Sequence, residues 1–384
     1  VFNQFYNLVL GAQSVACLGL LIFVHELGHF LLAKLCGVGV IEFAIGFGKK
    51  VFSKTIGETT YALRLIPLGG FVRMVGEDPR FSDSETSITG PSAEVSSDPN
   101  TWFVNKGYFA RAAIVVAGPL FNLIFAVFLG IFSVYIYGKG EPQPLPVIGE
   151  VIPGFPAAVS GLKSGDLVKL VNNEPVESWE KMALAIGKAT AGKLLLQVER
   201  EGKVVEVPVQ ATRERSDFEI LDMGVQSEEE RAKARYKIGI VPDVIKVPAS
   251  LGESVAIGFH RVVYYTEKNV QGIWAMLTGI VSAKNLGGPI LIVEQAAKSA
   301  NKGFEHLLEF TILLSVGLAV LNLLPIPILD GGHILFFTIE AVLGIRLHRK
   351  VVDRAQQVGM FLLFALMAFA MINDLQRLVG GSIW

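Results

Sequence analysis

Leu21-Ile22-Phe23-Val24-His25-Glu26-Leu27-Gly28-His29-Phe30-Leu31-Leu32 carries two readings at once. His25-Glu26-Leu27-Gly28-His29 is an HExxH metal signature: on a helix, the i, i+4 spacing puts both imidazoles on one face with the carboxylate beside them. The same residues lie in an apolar run, Leu8–Leu35, whose only formal charges are Glu26 and Lys34. An ionisable residue inside a membrane span costs roughly 2.5–3.5 kcal/mol on insertion scales, so such residues mark functional sites. Two hydrogen-bonded core histidines would account for His25 and His29, but would leave Glu26 an unpaired carboxylate in hydrocarbon. The stretch therefore reads as a membrane helix that binds zinc.

Composition agrees. Of 384 residues, 51% are hydrophobic and 18% charged, which excludes an ordinary soluble enzyme and points to an integral membrane protein with some soluble mass. A net charge of −1 provides no basic field for nucleic acid, which is not expected as a partner; the lipid bilayer is. The two cysteines, Cys17 and Cys36, fall on one predicted helix about five turns apart and cannot form a disulfide. The apolar run from Leu8 is too long for a signal-peptide core, so it reads as a retained helix.

Four stretches have spanning length and hydropathy: Leu8–Leu35, Ala112–Tyr137, Leu307–Leu329 and Val358–Ile372. After the first, Val38–Met74 is strand-like and glycine-rich, containing Gly46-Phe47-Gly48, and Gly76–Asn100 reads as a flexible loop. Between the second and third spans lies a small-domain pattern. Val147–Val151 is a strand, Gly161-Leu162-Lys163-Ser164-Gly165-Asp166 leads into the strand Leu167–Val171, and Asn172-Asn173-Glu174-Pro175 turns toward a helix at Trp179–Ala189. Leu194–Arg200 and Val204–Val209 form a hairpin closed at Glu201-Gly202; Arg213–Arg235 is a charged loop before a last strand, Lys237–Val241. This order resembles a bacterial-type PDZ domain. Val255–Val281 reads as an amphipathic helix at the membrane interface or packed on the soluble domain.

The expected fold is a polytopic α-helical membrane protein with four transmembrane helices, a membrane-associated β-hairpin or sheet region after the first, and an inserted extracytoplasmic PDZ-like α+β domain. The expected divisions are 1–36, first membrane helix with HExxH; 37–105, membrane-associated β region and cytoplasmic loop; 106–140, second membrane helix; and 145–245, PDZ-like domain. Then follow 248–304, interfacial helix and linker; 305–345, third membrane helix; and 350–384, fourth. Lys34, Lys49, Lys50, Lys54, Arg64, Arg73, Arg80, Lys106 and Arg111 after span one, and Arg346, Arg349, Lys350 and Arg354 between spans three and four, are cytoplasmic by the positive-inside rule. The PDZ-like block and both termini are then extracytoplasmic. His29 precedes Lys34 by five residues, about 7–8 Å of helix, which sets the metal site near the cytoplasmic face.

A catalytic zinc takes three protein ligands and leaves a position open. No third histidine follows His29 at metzincin spacing, where Leu35 stands. Asp330, in Asn322-Leu323-Leu324-Pro325-Ile326-Pro327-Ile328-Leu329-Asp330-Gly331-Gly332-His333, is the leading candidate: two prolines break the span just before it. Asp330 also suits a helix N-cap, and His333 is a rival ligand. His260, His306 and His348 have polar surroundings and read as surface residues.

HExxH in the first span, Leu329-Asp330-Gly331 in a later one and the PDZ-like insertion together resemble the site-2 protease family of intramembrane zinc metalloproteases, in its bacterial sigma-E-regulating branch. Gly46-Phe47-Gly48-Lys49, Ile66-Pro67-Leu68-Gly69-Gly70 and Ala117-Gly118-Pro119-Leu120-Phe121-Asn122 extend the match. A single PDZ-like domain stands where some relatives carry two. The resemblance implies one catalytic zinc ion, Zn2+, on His25, His29 and Asp330, Glu26 as general base, and Asn322 holding the substrate backbone or oxyanion. It also implies a bacterial inner membrane location and regulated intramembrane proteolysis of single-span membrane proteins, such as an anti-sigma factor or remnant signal peptides. The PDZ-like domain is expected to read peptide C-termini or gate by size. Strand addition of substrate to Val38–Met74, with Gly46, Phe47 and Gly48 allowing close backbone approach, is a further expectation. The alternative is a catalytically idle, PDZ-containing membrane adaptor.

Overall fold

A computed structural model describes residues 2–77, 98–152, 154–188, 192–212, 237–282 and 286–380. Most of the expected loop Gly76–Asn100, and all of Arg213–Arg235, lie outside the described residues. Among the described residues four helices are long and apolar enough to cross a membrane: Ala16–Leu35, Tyr108–Tyr137, Phe304–Asn322 and Arg349–Leu378. The protein is thus a polytopic membrane protein with additional β structure. The chain divides into two compact units.

The first unit comprises Val1–Ser133, Gly252–Val270 and Ala283–Val379. It begins with helix α1 (Phe2–Leu35), followed by the long strands β1 (Val40–Ile56) and β2 (Thr59–Met74). These two strands form more than a simple hairpin. Phe52 with Leu63 and Lys54 with Tyr61 pair in antiparallel register next to the turn, as do Glu42 with Arg73 and Ile45 with Gly70 at the far ends. Glu42 with Thr60, Phe43 with Tyr61 and Ala44 with Ala62 keep a constant offset, so these segments run parallel. Both strands therefore double back, and four segments lie side by side in the order 52–56, 59–63, 40–45, 70–74. The bend in β1 falls at Gly46, whose φ of +88° and approach to the Ile66 carbonyl exclude a side chain: a Cβ there would sit 2.6 Å from that oxygen.

The sheet runs alongside α1. At one end Lys34 pairs with Glu58 in the β1–β2 turn, and toward the other Gly70 lies against Ile22 and Glu26. Phe30 packs edge-on to Phe43 at 5.3 Å, and Phe43, Val40, Val72 and Met74 share a core with Ala33, Ile114 and Phe337. Buried Glu42 joins the segments by accepting from Arg64, Arg73 and Lys50. Burial alone would raise its carboxyl, but the hydrogen bonds from Arg64, Lys50 and Arg73 outweigh that and hold it below the usual carboxylate range.

Helix α2 (Tyr108–Tyr137) crosses α1 closely: a Cβ on Gly28 would lie 2.3 Å from the Ala117 carbonyl. The third expected span, Leu307–Leu329, differs in extent. Here α7 (Phe304–Asn322) stops at Asn322, and a separate helix α8 (Asp330–Leu343) follows a non-helical break. Pro325 and Pro327 cannot donate to a helical ladder and end it early. The fourth helix, α9 (Arg349–Gly380), is longer than the expected Val358–Ile372 because polar residues extend it at both ends.

The expected linker before span three contains a helix the sequence reading missed, α6 (Pro289–Lys302). Its capping group is remote in sequence: Asp374 on α9 accepts from Gly288 and Leu291 N–H groups, each at 3.0 Å. Helix α5 (Leu251–Leu277) replaces the expected Val255–Val281. Ser254 and Val262 are buried, Phe259 and Val263 exposed, and Arg261 pairs with Glu309. One face of α5 is therefore packed on the protein and the other is exposed.

The second unit comprises Val134–Leu251, Gln271–Ser282 and Gly380–Trp384. Strands β3 (Lys139–Pro142) and β10 (Val244–Val247) pair antiparallel, as do β4 (Ile148–Val151) and β9 (Ile240–Pro242). A four-stranded sheet runs β6-β5-β7-β8, with β5 at Leu167–Val171, β6 at Glu174–Pro175, β7 at Lys193–Arg200 and β8 at Lys203–Gln210. The short helices α3 (Pro156–Val159) and α4 (Trp179–Gly187) complete it. Positive φ at Asn172 and Asn173, and at Glu201 and Gly202, makes the two tight turns read from the sequence. Ile148, Val168, Met182, Leu196 and Val198 are the fully buried centre of one core. Asp166, also buried, accepts two hydrogen bonds from Arg200 at 2.7 Å and one from Lys163 N–H, locking the loop into β5.

Candidate metal centre

The HExxH lies on the C-terminal half of α1, where helical spacing turns His25 and His29 toward α2. Their Nε2 atoms are 3.2 Å apart. Asp330, the first residue of α8, brings Oδ2 to 3.3 Å from His25 Nε2 and 3.6 Å from His29 Nε2. The break Leu323–Leu329 makes this possible by bending the chain so that a helix N-terminus, not a side of α7, faces α1. Gly331 permits the fold-back, since a Cβ on it would lie 2.3 Å from the carbonyls of Leu323 and Leu324.

Two imidazole nitrogens and a carboxylate oxygen converging this closely make a site for a shared cation. The His29 Nδ1–H donates to the Ile114 carbonyl at 2.9 Å, so its Nε2 presents a lone pair. Asp330 Oδ2 is buried and has no hydrogen-bonding partner. A tetrahedral zinc with bonds of about 2.0–2.1 Å separates its ligand atoms by about 3.3–3.4 Å, close to the spacings of this triangle. Two imidazoles and one carboxylate, with a coordination position left over, are the donor set of a catalytic zinc site. The residues present fit the ion. Among the described residues, the side chains grouped closely enough to hold a metal are His25, His29 and Asp330.

Glu26 projects beside this group toward the sheet. A Cβ on Gly70 would touch its Cγ at 3.0 Å, and its carboxylate interacts with the backbone N–H of Val72. Both residues belong to the outer segment 70–74, whose other side pairs with 42–45. The Val72 amide points out of the sheet, and Met74 N–H likewise turns outward to Glu77. Among the described residues no further strand pairs with this edge, which adjoins the general-base candidate.

Asn322 is the last residue of α7, half-buried at the start of the break. His333, the rival ligand, follows one turn into α8 with its ring 6.3 Å from Phe337, outside the ligand group. His260, His306 and His348 are exposed and stand outside that group. Gly46 and Gly48 shape the bend of β1, and Phe47 covers Gly69 and stacks on Phe71 at 6.5 Å. The close approach at Gly46 is to the protein's own Ile66.

Two contributors appear in the sequence reading only within the matching run Ala117–Asn122, with no role assigned there. Gly118 lies where a Cβ would come 2.2 Å from His29 Nε2 and 2.9 Å from His25 Cε1. Asn122, fully buried, reaches His25 Nδ1. Their common stripe on α2, at i, i+4, i+8 from Ile114, was the available signal.

Comparison with known proteins agrees with this geometry. Residues 13–366 match peptidase family M50. A predicted zinc metalloprotease of Clostridium acetobutylicum is 34% identical, covering 97% of this chain and 98% of its own. The zinc metalloprotease RasP of Geobacillus kaustophilus is 32% identical over 94% of this chain and 97% of its own. The regulator of sigma-W protease RasP of Bacillus subtilis is 29% identical over 98% and 100%. By the family match along almost its whole length, this chain belongs to peptidase family M50, the site-2 proteases, and is a multi-pass membrane zinc metalloprotease.

Proposed function

We propose that the protein hydrolyses peptide bonds within or near the transmembrane segments of single-span membrane proteins, as the cutting step of regulated intramembrane proteolysis. One observation carries the reading: the outward edge of segment 70–74 runs past Glu26, beside the His25, His29 and Asp330 group. A helical substrate shields its peptide bonds and must be bound extended, with its amides satisfied by protein. Pairing on the Gly70–Val72 edge provides those bonds and draws the strand across Glu26. Gly46, Phe47 and Gly48 form the bend that supports this edge, through Phe47 against Gly69 and Phe71.

When bound, zinc supplies Lewis acidity that polarises the scissile carbonyl. Glu26 takes a proton from the attacking water and delivers it to the leaving amine. Asn322, at the break, holds the substrate backbone or the developing oxyanion by its amide. His29 is kept in the ligating tautomer by Ile114.

The inner membrane of a bacterium is the proposed setting, with the metal site near the cytoplasmic face and the PDZ-like unit extracytoplasmic. The distribution of Lys and Arg supports this. Contacts beside the two loops read as cytoplasmic agree: Arg111 at the start of α2 pairs with Glu340 on α8 at 3.1 Å, and Arg346 donates to the Val104 carbonyl. An anti-sigma factor is the favoured substrate class, given the name of the Bacillus relative, with remnant signal peptides second. The PDZ-like unit then reads the trimmed C-termini of such substrates.

The test is cleavage of a single-span substrate in detergent micelles or liposomes by the zinc-loaded protein beside Glu26→Gln. The variant is expected to keep zinc and to cleave at least about 100-fold more slowly. Equal cleavage by both overturns Glu26 as the general base; no cleavage by either with zinc bound overturns the assignment and favours an idle adaptor.

A further inference from the structure

Asn122 stands out among the buried polar side chains because its surroundings satisfy only half of it. It is fully buried on α2, its amide nitrogen lies 3.3 Å from His25 Nδ1, and its Oδ1 has no partner. Leaving a buried acceptor unpaired costs about 1–3 kcal/mol. An amide is nearly symmetric in shape, so a half-turn about Cβ–Cγ exchanges the two atoms without altering packing.

The two orientations have opposite consequences for the metal site. An amide N–H donating to Nδ1 forces the imidazole proton onto Nε2, which faces His29 Nε2 and Asp330. An amide oxygen accepting from Nδ1–H pairs the buried Oδ1, moves the NH2 into the vacated position, and leaves Nε2 as a bare lone pair aimed at the ligand triangle. The His29 ring already shows the second arrangement, with Ile114 as its acceptor at 2.9 Å. We infer that Asn122 Oδ1 is the acceptor that fixes the tautomer and orientation of His25, making it a positioning residue for the zinc site.

Ile114, Gly118 and Asn122 then act together at i, i+4 and i+8 on one face of α2. The first and last supply acceptors for the two histidines, and the glycine between them leaves room for both rings. The position of Asn122 is itself held from α7, since Ser315 Oγ donates to its backbone carbonyl at 2.8 Å. This inference rests on His25, His29 and Asp330 being the zinc ligands.

The experiment measures zinc retention by the full-length protein against a graded series of chelator concentrations, with cleavage as a second readout. Asn122→Leu keeps the approximate volume and removes the acceptor; Asn122→Asp restores an acceptor at the same reach. Removing an outer-shell partner typically costs 10–100-fold in metal affinity. Asn122→Leu is expected to lose zinc at about 10–100-fold lower chelator strength, and Asn122→Asp to hold it within a few-fold of wild type. Wild-type zinc retention by Asn122→Leu overturns the inference. So does an equal loss in Asn122→Leu and Asn122→Asp, which marks a packing role. His25→Ala runs in parallel: if it too keeps zinc, the ligand assignment fails; if it alone loses zinc, only the role of Asn122 fails.

Discussion

His25 and Glu26 are adjacent in sequence and face different partners. His25 turns to α2 and α8, where nitrogen and carboxylate donors converge, while Glu26 meets the outer strand at Gly70 and Val72. Helical geometry alone separates these roles, because neighbouring residues point about 100° apart. The site also depends on a residue without chemistry. Gly118→Ala would press a methyl into both imidazoles, which cannot move without leaving Asp330 or Ile114. We predict that Gly118→Ala folds but loses zinc, read as metal content after purification; wild-type zinc content would falsify this packing argument. Glu42 makes a separate prediction. Its folded carboxyl titrates below the unfolded value of about 4.3, so its stabilisation is complete above that value and fades as pH falls through the folded one. Amide protection in the sheet, taken relative to the intrinsic exchange rate at each pH, should therefore fall on acidification in wild type, and show a weaker pH response in Glu42→Gln.

Among the elements, the doubled-back sheet and the broken third span share one logic: each brings backbone to the metal site that a regular helix would hide. The break at Pro325 and Pro327 presents a helix start carrying Asp330, and the sheet presents an edge that no other described strand covers. The strands were legible as strands because Val38–Met74 alternates and carries glycines. Their folding into four segments was not, since the parallel pairing of 42–44 with 60–62 joins segments separated by a bend whose direction only packing against α1 decides. Proline in place of Val72 removes the outward N–H beside Glu26 while leaving the inward bonds of Phe71 and Arg73 in place. Losing one such bond is worth about 1–1.5 kcal/mol, so kcat/KM of Val72→Pro should fall by about 10-fold with zinc retained. Unchanged cleavage would argue against substrate pairing on this edge. Helix α6 shows the limit of local reading. Its cap comes from Asp374, a residue far along the chain, so the usual N-cap signal is missing from the sequence before Pro289.

For the whole molecule, two cores with separate compositions predict separable stabilities. The β-rich unit is centred on Ile148, Val168 and Leu196 and is locked by buried Asp166 with Arg200. Removing Asp166 loses the charge-assisted hydrogen bonds from Arg200 and from Lys163 N–H, at a cost of about 1.5–3 kcal/mol. Asp166→Ala should therefore make residues 145–211 susceptible to protease in the full-length protein while zinc content stays at the wild-type level. Loss of zinc in parallel with that susceptibility would show the units to be one cooperative body.

The amino-acid sequence by itself determined the class of the protein and most of its chemistry. Hydropathy marks spans because backbone and side chains alike must suit hydrocarbon, HExxH marks a helical face by period alone, and proline marks the break before Asp330 whatever surrounds it. The tertiary structure decided which carboxylate completes the triangle, that His333 stands apart from it, and that Gly118 and Asn122 serve the histidines. It also decided that the strand edge lies at Glu26. These depend on distances between residues far apart in the chain, and such distances are set by the close packing of α1, α2, α8 and the sheet, which no local pattern encodes.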